Sequence, residues 1–232
     1  RSTLVKKLRA DRPGALLLDG GDLWQGSATA LWTKGQDMVD ASQLLGVDIM
    51  TGHWEFTLGA ERVMDILDNE LNGEVEFIAH NVKDRDFGDP VFASHTLREM
   101  NGVPVAIIGQ AFPYTPIANP AHFTPGWTFG IQERELQEKI NEVKAAGAQV
   151  VVLLSHNGAD TDIKLASRLS GIDAILGGHT HDAIPRALEI ANPGGVTLVT
   201  NAGSNGKFIG VLDFAVRGGR IRDWSYELLP VF

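Results

Sequence analysis

Short apolar runs that stop at glycine recur along the chain, and four of them end in an Asp or a His. Residues 15–19 lead into Gly20-Gly21-Asp22, 48–51 into Gly52-His53, 150–154 into Ser155-His156, and 174–176 into Gly177-Gly178-His179-Thr180-His181. Such runs predict buried strands, and in open α/β sheets ligands sit just beyond the carboxyl ends of strands. The pattern therefore brings imidazoles and a carboxylate to one sheet edge.

Between these runs the apolar spacing changes to that of helices. Helices are predicted over 4–10, over 38–45 with Gly46 as its stop, over 61–71 from Val63, Met64, Leu67 and Leu71, and over 163–169. Residues 133–146 carry Leu136, Ile140 and Val143 on one face, and Glu135 stands four before Lys139, a spacing that supports a helix. Further strands are expected at 47–51, 77–79, 103–109 and 197–200, with a Pro-rich aromatic loop over 112–127. Strands 208–216 and 221–229 flank Arg217-Gly218-Gly219-Arg220, which reads as a hairpin turn. Alternating units followed by a meander predict a layered α/β sandwich, read as one domain over 1–232.

Composition narrows the function classes. The chain has 232 residues, 44% of them apolar, enough for one well-buried core. A net charge of −9 with no basic stripe argues against nucleic acid as a partner. The run 150–154 is far short of the ~20 apolar residues a membrane span needs. No cysteine is present, so disulfides, thiolate nucleophiles and thiolate metal sites are excluded. The opening RSTLVKKLRA reads as a charged helix and not as a signal peptide, so the start is expected to be a cut.

His179 and His181 lie two apart, and on an extended backbone they would face opposite sides. One ion could not easily take both, but two adjacent ions could. Paired ions lie ~3.5–4 Å apart, clamp substrate oxygens and generate a hydroxide nucleophile at neutral pH. Asp22, in a Gly-Gly-Asp turn with no crowding side chains, suits a carboxylate shared by both. Singly, an Asp after two glycines is usually a turn residue and a His at a strand end is usually just hydrogen-bonded. Four glycine-flanked candidates together point to a metal site. His80, His95 and His122 are assigned to capping or surface roles. Asn81 is a candidate site-facing amide and Lys207 a candidate anion partner, both for substrate, although a solvated turn explains Lys207 better. Of Trp24, Trp32 and Trp54 near the proposed loops, only Trp54 stands where a role beyond core packing is expected.

At these residues the chain resembles the calcineurin-like metallophosphoesterases, within their 5′-nucleotidase branch. Leu-Leu-Leu-Asp-Gly-Gly-Asp22, Ser-His156-Asn157-Gly and Gly-Gly-His179-Thr-His181 match that branch's second, fourth and fifth signatures in order, over nearly the whole chain. The third signature departs: Gly52-His53-Trp54-Glu55-Phe56-Thr57 stands where nucleotidases have Gly-Asn-His-Glu-Phe-Asp. That departure resembles the SoxB thiosulfohydrolases of bacterial sulfur oxidation, in which a His replaces the ligand Asn and a Trp follows. Gly46-Val-Asp-Ile-Met50, Phe87-Gly-Asp-Pro90 and Phe112-Pro-Tyr114 are similar to that family too.

The resemblance implies an αββα sandwich that begins after the family's opening strand, which carries an Asp and a His two residues apart, and ends before its C-terminal domain. It implies that Asp22 bridges two divalent ions, a manganese pair. His53, His156 and His179 would complete one shell, with His181 in the other. Trp54 and Asn157 would be the catalytic positions. It further implies sulfate release from a cysteine S-thiosulfonate on a SoxYZ-like carrier protein in the periplasm. Donor types alone leave Mn, Zn and Fe open. The nucleotidases' catalytic His and Asp are replaced by Trp54 and Thr57, which is tolerable when a sulfur anion leaves, because it leaves far more readily than an alkoxide. A 5′-nucleotidase or related phosphoesterase is the second reading, and a metal-binding but inactive fragment the third.

Overall fold

The computed structural model describes residues 2–71 and 73–232; Arg1, the first residue of the predicted opening helix, lies outside them. The first third runs α1 (Ser2–Asp11), β1 (Leu18–Asp19), α2 (Ala28–Thr33), α3 (Gln36–Leu45), β2 (Ile49–Met50), a 3-10 turn over Trp54–Leu58, α4 (Ala60–Asp65) with a π turn at Ile66–Glu70, and β3 (Glu76–Phe77). The middle adds β4 (Lys83–Asp84), β5 (His95–Met100), β6 (Val103–Gln110), α5 (Thr115–Ala118), β7 (Trp127–Thr128), α6 (Glu133–Ala145), β8 (Val150–Ser155) and α7 (Ala159–Arg168). The last part is β9 (Ala174–Gly177), β10 (Leu188–Asn192), β11 (Gly195–Asn201), β12 (Phe208–Arg217) and β13 (Arg220–Pro230).

Two sheets form the middle of a four-layer stack. One is parallel, β1-β2-β3; the other has the order β10-β11-β9-β8-β6-β5, parallel from β11 to β6 with antiparallel strands at both edges. Ile49, Ile78, Val105, Ile107, Val150, Val152 and Leu154 fill the space between them, joined by Phe214, Val216 and Ile221 of the β12–β13 hairpin. On the outer face of the larger sheet, Leu136, Ile140 and Val143 of α6 and Leu165 and Ala166 of α7 meet Ala106, Ile108, Val151, Leu153 and Ile175. Over the smaller sheet lie Val39 of α3 and Val63 of α4, with Trp24, Phe56 and Phe77. β8 is buried at all six positions, which explains why its sequence is a continuous apolar run without alternation.

The expected strands at 15–19 and 47–51 shrink to two residues each. At the start of β1 the Leu17 N–H leaves the ladder for the Asp48 carboxylate, while the Leu17 carbonyl still accepts from Asp48 N. The Glu135–Lys139 pair does not form; Lys139 instead reaches Glu142, and Glu135 takes Arg134. The hairpin turn has left-handed glycines at both central positions, Gly218 at φ 60° and Gly219 at 71°, the geometry that matches strand twist. Another such turn, Asn101-Gly102 between β5 and β6, went unread although its dipeptide is the usual signal. Trp24 is fully buried, whereas Trp32 is 78% exposed and packs in no core.

Candidate metal centre

Each of the four Asp or His candidates sits just past a strand end. Asp22 follows β1, His53 follows β2, His156 follows β8 and His179 follows β9, two strands from each sheet, so the residues meet at the carboxyl edge where the sheets face one another. One ligand atom from each of these four lies within 4.8 Å of the others. Asp22 Oδ1 is 2.9 Å from His53 Nδ1, and Asp22 Oδ2 is 3.1 Å from His156 Nε2. The two imidazole nitrogens stand 3.2 Å apart. Two nitrogens on one tetrahedral ion, each bonded at about 2.0–2.1 Å, would be separated by about 3.3 Å.

The donor set fits a cation on its chemistry as well. His156 Nδ1 lies 2.6 Å from the Gly20 carbonyl, which can only accept, so Nδ1 carries the proton. Its Nε2 then turns a lone pair toward the Asp22 carboxylate, an arrangement that needs a proton or a metal between them. Burial disfavours the imidazolium, but the Asp22 carboxylate and the Gly20 carbonyl outweigh it and raise His156 above the ordinary histidine range. Burial likewise opposes the Asp22 carboxylate, yet hydrogen bonds to His156 and His53 hold it far below the usual carboxyl value. His179 is driven the other way, to about 4, by burial and then by the neighbouring His156 and His53; its buried Nδ1 has no hydrogen-bond partner.

The loops are shaped for this meeting. Gly21, at φ 97°, brings its backbone so near that a Cβ there would stand 3.1 Å from both Gly52 Cα and the Thr51 carbonyl. Asp22 itself is left-handed at φ 65°, as are His179 at 75° and His181 at 60°. The backbone of 179–181 is therefore not extended, contrary to the opposite-facing strand geometry expected of its two imidazoles. His181 is exposed and outside the four converging donors, although close enough for its charge to lower His179.

The other candidates separate. Trp54 is 46% exposed; its backbone N–H donates to Asp22 Oδ1 at 3.1 Å, and its indole lies edge-on to His53 at 6.2 Å. It stands at the rim of the cluster and outside the core. Thr57 donates its hydroxyl to the Trp54 carbonyl. Asn157 is buried with its amide Nδ2 on Asp162 Oδ1, turned into the protein. Asn81 does not present a free amide: Nδ2 donates to the Ala111 and Gly130 carbonyls and Oδ1 accepts from Ala111 N, which ties three segments together. Lys207 is exposed in a turn closed by its own N–H on the Ser204 carbonyl.

Two contributors went unread in the sequence. Phe112 stacks on His179 with ring centroids 4.0 Å apart and lies 4.1 Å from His53, an apolar wedge between two imidazoles. Glu55, fully buried, accepts backbone N–H groups from both loops. A carboxylate between Trp54 and Phe56 in an apolar word was the available signal.

With this geometry in view, the comparisons with known proteins fall into one group. No protein-family model matches the chain. The rat 5′-nucleotidase is 26% identical over 98% of the chain, and the Gloydius brevicauda snake venom 5′-nucleotidase 28% over 99%. Among solved structures, the Thermus thermophilus sulfate thiohydrolase SoxB superposes with a TM-score of 0.91 at 38% identity over 99% of the chain. This chain carries the calcineurin-like hydrolase fold, in the branch shared by SoxB and the 5′-nucleotidases. A Thermus thermophilus 5′-nucleotidase precursor follows at a TM-score of 0.86 and 28% identity. The fold alone is shared with the calcineurin-like phosphoesterase YfkN of Bacillus subtilis, at 0.84 and 22%. The chain spans 42% of the length of the rat and Gloydius enzymes and of the SoxB chain.

Proposed function

We propose that this chain is the catalytic domain, over 1–232, of a thiosulfohydrolase that releases sulfate from a cysteine S-thiosulfonate on a SoxYZ-like carrier protein in the periplasm. The observation that carries this reading is the pair Trp54 and Thr57. Where nucleotidases keep a proton-carrying His and Asp, this chain has an indole at the site rim and a hydroxyl bonded to backbone. Support also comes from the higher identity and TM-score to SoxB than to the nucleotidase precursor.

In this reading Asp22, His53, His156 and His179 would hold one divalent ion, and His181 with Asp22 would contribute to a second, manganese in both cases. Bound ions of this kind polarise substrate oxygens and activate water. The chain's own residues do the rest. Asp22 presents one oxygen to His53 and the other to His156, so its charge is shared across the site. Phe112 excludes water behind His53 and His179. Trp54 offers an apolar wall for the extended carrier segment. Water adds its oxygen to the terminal sulfonate sulfur, the bond from that sulfur to its neighbouring sulfur breaks, sulfate departs, the carrier keeps a persulfide anion, and the two protons of the water pass to solvent. That anion leaves without an acid beside it, which is why loss of the dyad is tolerable.

The second reading is a 5′-nucleotidase, favoured by the names of the curated relatives. A side-by-side assay of the full-length protein with a carrier-bound cysteine S-thiosulfonate and with AMP separates the two. Sulfate release with poor AMP turnover is expected; efficient AMP hydrolysis without sulfate release would return the chain to the nucleotidases. Metal uptake with neither activity would leave the metal-binding, inactive reading.

A further inference from the structure

We propose that Glu55 is a positioning residue that fixes the metal-facing shape of the two loops after β1 and β2 by clasping their backbones. The proposal rests on the metal-site reading and is independent of the substrate. Glu55 is 0% exposed. Its Oε1 accepts from Leu23 N at 2.6 Å and Trp24 N at 3.2 Å, and its Oε2 from Asp22 N at 3.1 Å and His53 N at 2.7 Å. Four backbone donors are what a buried carboxylate needs in place of a cation.

Three of those donors are consecutive. Successive N–H groups can converge on one point where a turn carries the backbone through left-handed conformations, and here Gly21 has φ 97° and Asp22 φ 65°. The result is an anion-binding concavity of main-chain dipoles, and the anion is a side chain of the neighbouring loop. This accounts for the left-handed backbone of Asp22, a conformation that side chains other than Asn and Asp rarely adopt. The clasp is reciprocal, because Asp22 Oδ1 accepts from Trp54 N at 3.1 Å. One carboxylate thus sets the direction of Asp22, holds the His53 backbone, and leaves both side chains free for the site.

Glutamine cannot replace it. Each oxygen of Glu55 accepts two N–H groups, so either orientation of a Gln amide would aim its NH2 at two donors. The test is metal affinity of the chain by chelator competition, with the visible spectrum of the cobalt-substituted protein as a report of ligand geometry. Glu55→Gln is expected to weaken binding by about 10–100-fold and to alter the cobalt bands. Leu136→Ala, which opens a cavity beneath α6 in a different layer, is expected to lower the melting temperature with no change in either readout. Unchanged affinity and spectrum in Glu55→Gln, or an equal loss in Leu136→Ala, would overturn the proposal. Should Glu55→Gln fail to fold, amide exchange of the metal-free wild type decides instead. Slow exchange at Asp22, Leu23, Trp24 and His53 is expected, and exchange as fast as in an open loop would overturn the clasp. Failure of the metal-site reading looks different: the wild-type chain itself takes up no ion, and the positioning claim falls with it.

Discussion

At position 54 the side chain decides which proton transfers are open to the site. An indole N–H can donate but cannot take up a proton, so in the proposed function Trp54 would act through shape and water exclusion. Because it is nearly half exposed, Trp54→Ala should cost about 1 kcal/mol or less of stability while sulfate release by the full-length protein falls strongly. Turnover measured beside the melting temperature and metal content checks this; a large loss of stability or of metal would assign Trp54 to packing. Asp162 makes a separate prediction. Burial raises its carboxyl to about 7, against the opposing hydrogen bonds of Ser155 and Asn157. An acid whose folded value lies above its unfolded one of 3.8 keeps its proton longer in the native state. Its stabilising contribution is complete below pH ~4 and is lost as pH rises toward 7. Asp162→Asn should remove that slope, worth on the order of a few kcal/mol, and urea unfolding of both proteins between pH 4 and 8 reads the difference. Parallel curves would mean that Asp162 is ionised throughout.

Among the elements, the close approach of β6 to the chain following β3 holds the two sheets at their working separation. A Cβ on Gly109 would stand 2.2 Å from the Ile78 carbonyl oxygen, and backbone has no room to yield there. His80 N also donates to the Gly109 carbonyl, so the contact is hydrogen-bonded as well as tight. Gly109→Ala is therefore expected to destabilise the fold by about 3 kcal/mol or more and to lower metal affinity, since the sheets that carry the donors must separate. Thermal melts with metal titration check it. A near-neutral substitution would show that the sheets can slide apart without disturbing the site.

For the whole molecule, four donors converge on one point while His181 lies to the side among exposed residues. Elemental analysis of this 232-residue chain after dialysis should accordingly give nearer one divalent ion than two. Chelation should lower the melting temperature, because an ion that binds only the native state stabilises by RT ln(1 + [L]/Kd). His156→Ala should abolish uptake, whereas His181→Ala should leave the tight ion in place. Two tightly held ions would require another arrangement of ligands.

The sequence by itself determined several of the local elements and the residue types at their ends. Continuous apolar runs marked β8 and β9, helical spacing marked α6, and a glycine pair marked the β12–β13 turn, because each of those signals repeats within a few residues. It also set the departure at Trp54 and Thr57, which needs only a motif to be read. Convergence of Asp22, His53, His156 and His179 was decided by the tertiary structure, since they sit on two different sheets whose separation depends on side chains from the whole chain. The same holds for Glu55. Its partners are distant backbone groups, and nothing in local spacing says that a carboxylate between Trp54 and Phe56 will fill a concavity made by the turn at Asp22. Asn81 shows the converse, for a polar residue at a strand end that invited a role in the site was claimed by the carbonyls of Ala111 and Gly130. Periodicity is a property of neighbours along the chain, whereas a site is a property of neighbours in space.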